Sequence, residues 1–307
     1  MNIRGYIELN IMISHLYLSG GGLKGMCYFG IIRYLYLENL IDNIKCIYGT
    51  SIGAFFAAVI ALRIPIELIE AEFRQFIDDI NEHLSINKNN LSNLFCKNGL
   101  LSIEFMVKPI IKYIESTFGC DDITFIDFIK RTGVDININT KCLNSCKYCV
   151  FSAQNTPNVS VISAIRASMS IPFMFEPICI DGEYYMDCLV SNFDIENVDK
   201  RYLLIIYLPP DKTENRTIYA KGTNFNLLDH IMRVSDIFLD MALQDAANRA
   251  IDNEYVFQPN DLPYESHMKF KITDKEIVVD VTKEDVSDMT IKGFIDFAIY
   301  MKNRFNK

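Results

Sequence analysis

The sequence predicts an α/β fold: a three-layer α/β/α arrangement around a mostly parallel central sheet. Two observations predict it. Through the first half, short apolar segments alternate with segments of helical apolar spacing, in β-α-β-α order. The first two strand-to-helix junctions both carry glycine-rich turns, "LSGGGLKGMCYFG" from Leu18 to Gly30 and "IYGTSIGAFF" from Ile47 to Phe56.

The elements follow in order. The opening stretch is interrupted by Glu8, Asn10 and His15, so it is expected to be a leading strand or two rather than a signal peptide. Leu16 to Ser19 is a short strand, and Leu23 to Asn39 has helical spacing. Ile44 to Tyr48 is the next strand, and Ser51 to Leu62 a buried helix. Its apolar run, Ile52 to Leu62, is too short to span a bilayer. Residues 65–131 read as mostly helical with a polar break at "NKNNLSN", and are expected to be an insertion or lid. A hairpin near 134–153, a helix near 159–169 and a turn at "SIPFMFEP" follow. Asp181-Gly182 is a hairpin turn before the strand "EYYM". A long amphipathic helix over 226–251, the strand "EIVVDV" and a helix from Val286 to Arg304 complete the chain. Thr282 and Asp285 can cap the last helix. The expectation is a single domain over 1–307, with its core motifs at about 14–195 and a C-terminal helix-strand-helix at about 226–305.

Composition narrows the function. The chain has 307 residues, half of them hydrophobic and 22% charged, so it can bury a substantial core. Its net charge of −9 supplies no global field for nucleic acid or anionic lipid, so any membrane contact must be local. Nine scattered cysteines, an odd number, fit reduced thiols and a cytoplasmic location better than a disulfide framework. The tightest group, Cys142, Cys146 and Cys149, lacks a fourth ligand nearby, so no metal is expected there.

The glycine loop poses the chemical question. Gly20, Gly22 and Gly25 formally match a dinucleotide fingerprint. That mechanism needs a carboxylate at the end of the next strand to hold a ribose, and "IYGTS" has none. No Gly-Lys-Ser/Thr closes a P-loop either, so no nucleotide cofactor is expected. At the second junction, Gly49-Thr50-Ser51-Ile52-Gly53 is a G-x-S-x-G between strand and helix, the setting of a nucleophilic serine. In a parallel sheet both loops reach the same edge. The N–H groups of Gly20, Gly21, Gly22 and Ile52 can then face a carbonyl attacked by Ser51, as an oxyanion hole.

A base is also needed. His15 begins the first strand, at the wrong end, and His83 lies in a polar helix end. His230 and His267 come late enough for a triad but lack turn chemistry around them. Asp187 offers itself instead, at the point where "EYYM" gives way to a loop.

The chain here resembles patatin-like phospholipases. The resemblance rests on Gly20-Gly21-Gly22-Leu23-Lys24-Gly25, then Gly49-Thr50-Ser51-Ile52-Gly53, then "AIRASMSIPFMFEP", then Asp187 with Asn192 after it. It covers about residues 14–195, and residues 276–305 look like the family's closing strand and helix. The resemblance implies a Ser51–Asp187 dyad without histidine, an acyl-serine intermediate, no cofactor or metal, and an acyl-ester lipid presented at a membrane or micelle surface. Lys24 matches the family's basic position and is read as supporting the loop, as are Gly25, Gly49 and Gly53. One departure stands out: the family has Gly then Gly or Ala after the aspartate, and this chain has Cys188-Leu189. If the backbone is left-handed there, a Cβ costs roughly 1–2 kcal/mol. Three other readings remain alongside the hydrolase: a catalytically impaired lipid-binding protein, an acyltransferase and, distantly, a dinucleotide enzyme.

Overall fold

The computed structural model describes residues 13–84, 93–189, 198–208, 256–259, 270–272, 277–279 and 282–305. The expected N-terminal strands, the polar break and the 226–251 helix, together with Asn192, His230 and His267, lie wholly or almost wholly outside them.

Strand β1 (His15–Leu18) pairs in parallel with β2 (Cys46–Thr50) on one side and β9 (Leu203–Ile206) on the other. β2 pairs in parallel with β4 (Asp135–Cys142), and β9 with β10 (Val256–Phe257). The far edge turns antiparallel: β4 pairs with β5 (Tyr148–Phe151) and with β8 (Glu183–Met186), which pairs with β7 (Ile178–Ile180). The result is an eight-stranded, mostly parallel sheet flanked by helices, as the α/β/α expectation requires. Outside it, β3 (Gly99–Leu101) pairs with β6 (Phe173–Phe175), and β11 (Phe270–Ile272) with β12 (Ile277–Val279).

The β7–β8 hairpin turns at Asp181 and Gly182, both left-handed at φ 51° and 85°. Positive φ at both central residues is the turn that an Asp-Gly pair favours.

The first helix begins later than its apolar spacing suggests. Gly22–Met26 forms a 3-10 turn, closed by the Lys24 N–H on the Gly21 carbonyl at 3.0 Å, and α1 follows as Cys27–Leu37. Left-handed Asn39 (φ 54°) marks the end of that stretch. α2 is Ile52–Ala61, buried along its whole length, and α3 is Ile66–Leu84. α4 (Glu104–Phe118) and α5 (Phe125–Thr132) come from the segment expected as an insertion. Within that segment Ile69, Phe73, Val107, Ile110 and Phe128 are buried in the same apolar core as the sheet. α6 (Val161–Met169) starts at Ser160, whose hydroxyl accepts the Ser163 N–H. α7 (Lys283–Phe305) starts with a reciprocal cap. Thr282 Oγ1 accepts the Asp285 N–H at 3.2 Å, and Asp285 Oδ2 accepts the Thr282 N–H at 2.7 Å. Among the described residues no helix is long and apolar enough to cross a membrane.

α1 and α7 cross backbone against backbone. A Cβ on Gly30 would stand 2.0 Å from the Thr290 carbonyl oxygen and 2.5 Å from the Phe294 nitrogen. Gly293 faces the Cys27 carbonyl in the same way, at 2.3 Å. Beside the crossing, the Tyr34 ring meets Phe294 and Phe297 edge-on. Gly30→Ala is therefore expected to destabilise the protein by about 1–3 kcal/mol, although alanine is the better helix former. A lower urea midpoint would show it.

Candidate active site

Because β1, β2 and β9 are parallel, the loops after them emerge at one edge. Ser51 sits in the turn between β2 and α2 at φ 54°, ψ −127°. Such a backbone costs a non-glycine residue about 1–3 kcal/mol and persists only where its surroundings hold it. The flanking glycines explain how the turn fits. A Cβ on Gly53 would stand 2.2 Å from the Leu18 carbonyl oxygen, and one on Gly49 2.6 Å from Ala54 Cα. The first turn of α2 is pressed onto the end of β1, with no room for side chains at those two positions.

The glycine loop lies on this turn. The Cβ position of Gly20 is 3.1 Å from Ser51 Cβ, and that of Gly25 is 2.5 Å from Ile52 Cγ1. Gly21 abuts Leu208, just past β9, and Gly22 is left-handed at φ 52°. Ser19 fixes the loop's entry: its Oγ accepts the Leu208 N–H at 2.8 Å, and its carbonyl accepts the Tyr28 hydroxyl at 2.8 Å. Lys24 is buried in the 3-10 turn that closes the loop. As the first residue of α2, Ile52 has no intrahelical acceptor for its N–H.

Asp187 arrives from the antiparallel edge. β4 runs past the Thr50↔Asn139 pair to Cys142, and β8 returns along it through Tyr185↔Cys142 and Met186↔Lys141. The next residue, Asp187, is thereby brought back level with the end of β2. Its carboxylate is buried, lies close enough to the Ser51 hydroxyl to feel it electrostatically, and accepts the Leu189 N–H at 2.8 Å. Burial pushes its pKa up to about 6, against the lowering effects of the Ser51 hydroxyl and the Leu189 N–H. Leu189 does adopt the left-handed backbone, at φ 59°. The chain thus carries Cβ strain at a branched residue, yet the 189 amide still reaches the carboxylate.

Three residues that the sequence did not single out hold this arrangement. The Ser51 N–H donates to Ser168 Oγ at 2.9 Å, and the Ser168 hydroxyl donates to the Asn139 carbonyl at 2.7 Å. The Asn139 amide donates to Thr50 Oγ1 at 2.9 Å. The Asp187 N–H donates to the Ser170 carbonyl at 2.9 Å. A serine in a helix and an asparagine in a strand carry no local signal of such roles; only "RASMS" lying inside the resemblance hinted at them.

An apolar pocket opens at Ser51. Its walls include Phe29, Phe56, Phe73, Phe105, Met106 and Phe175, and Ser51 is the one polar side chain among the described residues lining it. That shape and chemistry suit a long apolar chain with a single reactive group at its end.

His15 is not part of this site. It pairs level with Cys46, at the opposite end of the strand from Ser51, roughly 16 Å away at 3.3 Å per residue. Its ring bonds Ser14 Oγ at 2.9 Å. His83 lies in α3.

Comparisons with known proteins give the chain's family and fold. The Patatin-like phospholipase family model matches residues 16–198, and the chain belongs to that family. A protein of Acanthamoeba polyphaga mimivirus is 26% identical over 90% of this chain and 86% of its own length. A probable lipid hydrolase of Invertebrate iridescent virus 6 is 26% identical over 59% of this chain and 61% of its own length. Triacylglycerol lipase 5 of Saccharomyces cerevisiae is 30% identical over 54% of this chain, but only 22% of the yeast protein is covered. Among solved structures, VipD from Legionella pneumophila has the same fold, at a TM-score of 0.52 and 16% identity over 95% of this chain and 67% of its own.

The buried carboxylate has a consequence for stability. The folded-state pKa of Asp187, about 6, lies above its unfolded value, near 3.9. Its contribution is therefore full below about pH 4 and is lost as pH rises through about 6, on the order of 3 kcal/mol. Asp187→Asn removes the buried charge. We expect that variant to be more stable than the parent at pH 7.5, with the gap closing by pH 4, read from urea midpoints at the two pH values.

Proposed function

We propose that the protein is a lipid acyl hydrolase, a carboxylic ester hydrolase working through Ser51 and Asp187. The observation that carries this reading is the buried Asp187 carboxylate beside Ser51, which itself lines an apolar pocket. An acyl chain of a phospholipid or neutral glyceride lies in the pocket with its ester carbonyl at Ser51. Ser51 Oγ attacks the carbonyl carbon and its proton passes to Asp187. A carboxylate held near pKa 6 is a far better base at neutral pH than one near 4. The negative oxygen of the tetrahedral intermediate takes hydrogen bonds from N–H groups of Gly20, Gly21, Gly22 and Ile52. The C–O bond to the alcohol then breaks, Asp187 gives its proton to the leaving oxygen, and an acyl-serine remains. Water attacks that ester, loses a proton to Asp187, and the fatty acid leaves with Ser51 reprotonated. Lys24, Gly25, Gly49 and Gly53 support the two turns. The scheme uses no metal, nucleotide or other cofactor.

The impaired-binder reading draws on strained Leu189. The 2.8 Å bond from its amide to Asp187 argues for a working carboxylate instead.

Turnover of a mid-chain p-nitrophenyl ester with chelator present tests the assignment. Ser51→Ala and Asp187→Asn are expected to lose at least 10³-fold in kcat/KM, by analogy with the loss of a nucleophile or its base. His230→Ala/His267→Ala is expected to match the parent. The kcat/KM of the parent should rise with pH and level off above about pH 6, as Asp187 loses its proton. A folded histidine variant without activity would replace the dyad with a triad.

The same reading places the protein at a lipid surface. Phe95 and Phe173 are exposed, and Phe173 lies two residues from Phe175 in the pocket wall. Inserting such side chains needs no basic field. Replacing both with serine is expected to cut turnover of phosphatidylcholine vesicles by at least about tenfold, since burying even one aromatic side chain is worth about 1.5–3 kcal/mol. Turnover of the dissolved p-nitrophenyl ester should be unchanged.

A further inference from the structure

Two chain segments far apart in sequence must meet within one hydrogen bond for the chemistry above. Ser51 comes from the turn after β2, Asp187 from the end of β8. The geometry points to Ser168 as the positioning residue that holds these two groups in register, an inference that rests on the acyl-transfer reading.

The strained turn sets the requirement. At φ 54° the Ser51 N–H points into the protein, where it needs an acceptor. Ser168 Oγ supplies it at 2.9 Å. Ser168 is fully buried and its own hydrogen is committed to the Asn139 carbonyl at 2.7 Å, so its hydroxyl is held at both ends. The second anchor is two residues along. The Ser170 carbonyl accepts the Asp187 N–H at 2.9 Å, and the Ser170 hydroxyl ties back to the Arg166 carbonyl at 2.8 Å. The end of α6 therefore bonds the main chain of both partners, one through a side chain and the other through a carbonyl. Met169, between them, lines the pocket. Without the Ser168 hydroxyl, a buried N–H loses its acceptor and the strained turn loses the contact that fixes it. Ser51 Oγ then leaves the line to Asp187, while the pocket that binds the acyl chain stays as it was.

The test compares Ser168→Ala with Ser51→Ala and with Ser152→Ala. Ser152 is an equally buried serine, whose hydroxyl accepts the Asn155 N–H at 3.2 Å in the turn after β5. The substrate is the dissolved p-nitrophenyl ester, and the rate of Ser51 labelling by a fluorophosphonate is followed in parallel. Ser168→Ala is expected to lose on the order of 100-fold in kcat, the usual effect of displacing a reacting group by about 1 Å. KM should stay within about twofold of the parent for a purely positional defect. Labelling should slow with kcat. The acid limb of the pH profile should move above about 6, because the Ser51 hydroxyl that lowers the Asp187 pKa moves away. Ser152→Ala should behave like the parent.

A Ser168→Ala enzyme with parental kcat and an unmoved acid limb overturns the inference. So does an equal loss in Ser168→Ala and Ser152→Ala with the limb unmoved. If the alanine variant does not fold, Ser168→Cys keeps the shape with a weaker donor and acceptor; a tenfold or greater kcat loss supports the role, and parental kcat refutes it. Parental activity in Ser51→Ala would instead refute the dyad itself, separately from Ser168.

Discussion

The close approach of Ser51 to the buried Asp187 carboxylate is the constraint around which this edge of the protein is built. Each partner is costly where it stands. Ser51 occupies a left-handed backbone, and Asp187 is a carboxylate with almost no exposure to water. Neither state would persist alone. They persist because the turn is packed on β1, β4 and α6, and because the Leu189 N–H and the nearby Ser51 hydroxyl partly replace the carboxylate's lost solvent.

The sheet's mixed topology follows the same need. Parallel strands deliver the glycine loop and Ser51 to one edge, but another parallel strand would set its outgoing loop beside them only from a neighbouring position with its own crossover helix. An antiparallel strand folding back along an overlong β4 brings its final residue down to the level where β2 stops. The carboxylate can thus approach Ser51 from the side opposite β1, leaving Gly22 and Gly25 of the glycine loop facing the pocket. Where the proposed reaction needs donors, a glycine loop has no side chains in the way; where it needs an apolar surface, phenylalanines and methionines from α1, α2, α3 and the 103–106 stretch converge.

Leu189 shows how much deviation the site absorbs. A branched residue takes the left-handed conformation here, at roughly 1–2 kcal/mol. Its amide still binds the Asp187 carboxylate. The main chain, rather than the side chain, does what this position is needed for.

The alternation of strands and helices, the two glycine turns and the candidacy of Ser51 and Asp187 are all legible in the unfolded chain. These are local signals: glycine where backbone crowds backbone, apolar periodicity where an element is buried, Asp-Gly where a hairpin turns. Element edges shifted where a different local force prevailed, as when the bond from Lys24 to Gly21 turned the expected start of the first helix into a 3-10 turn. Only the tertiary structure decided that Asp187 is buried against Ser51, that residues 103–106 and 73 from the expected insertion line the pocket, and that Ser168, Ser170 and Asn139 hold the turn. Those facts depend on which distant strand ends lie at the same level and which side chains point between them. Burial, and with it the raised Asp187 pKa, belongs to the packed assembly and to no short segment of the chain.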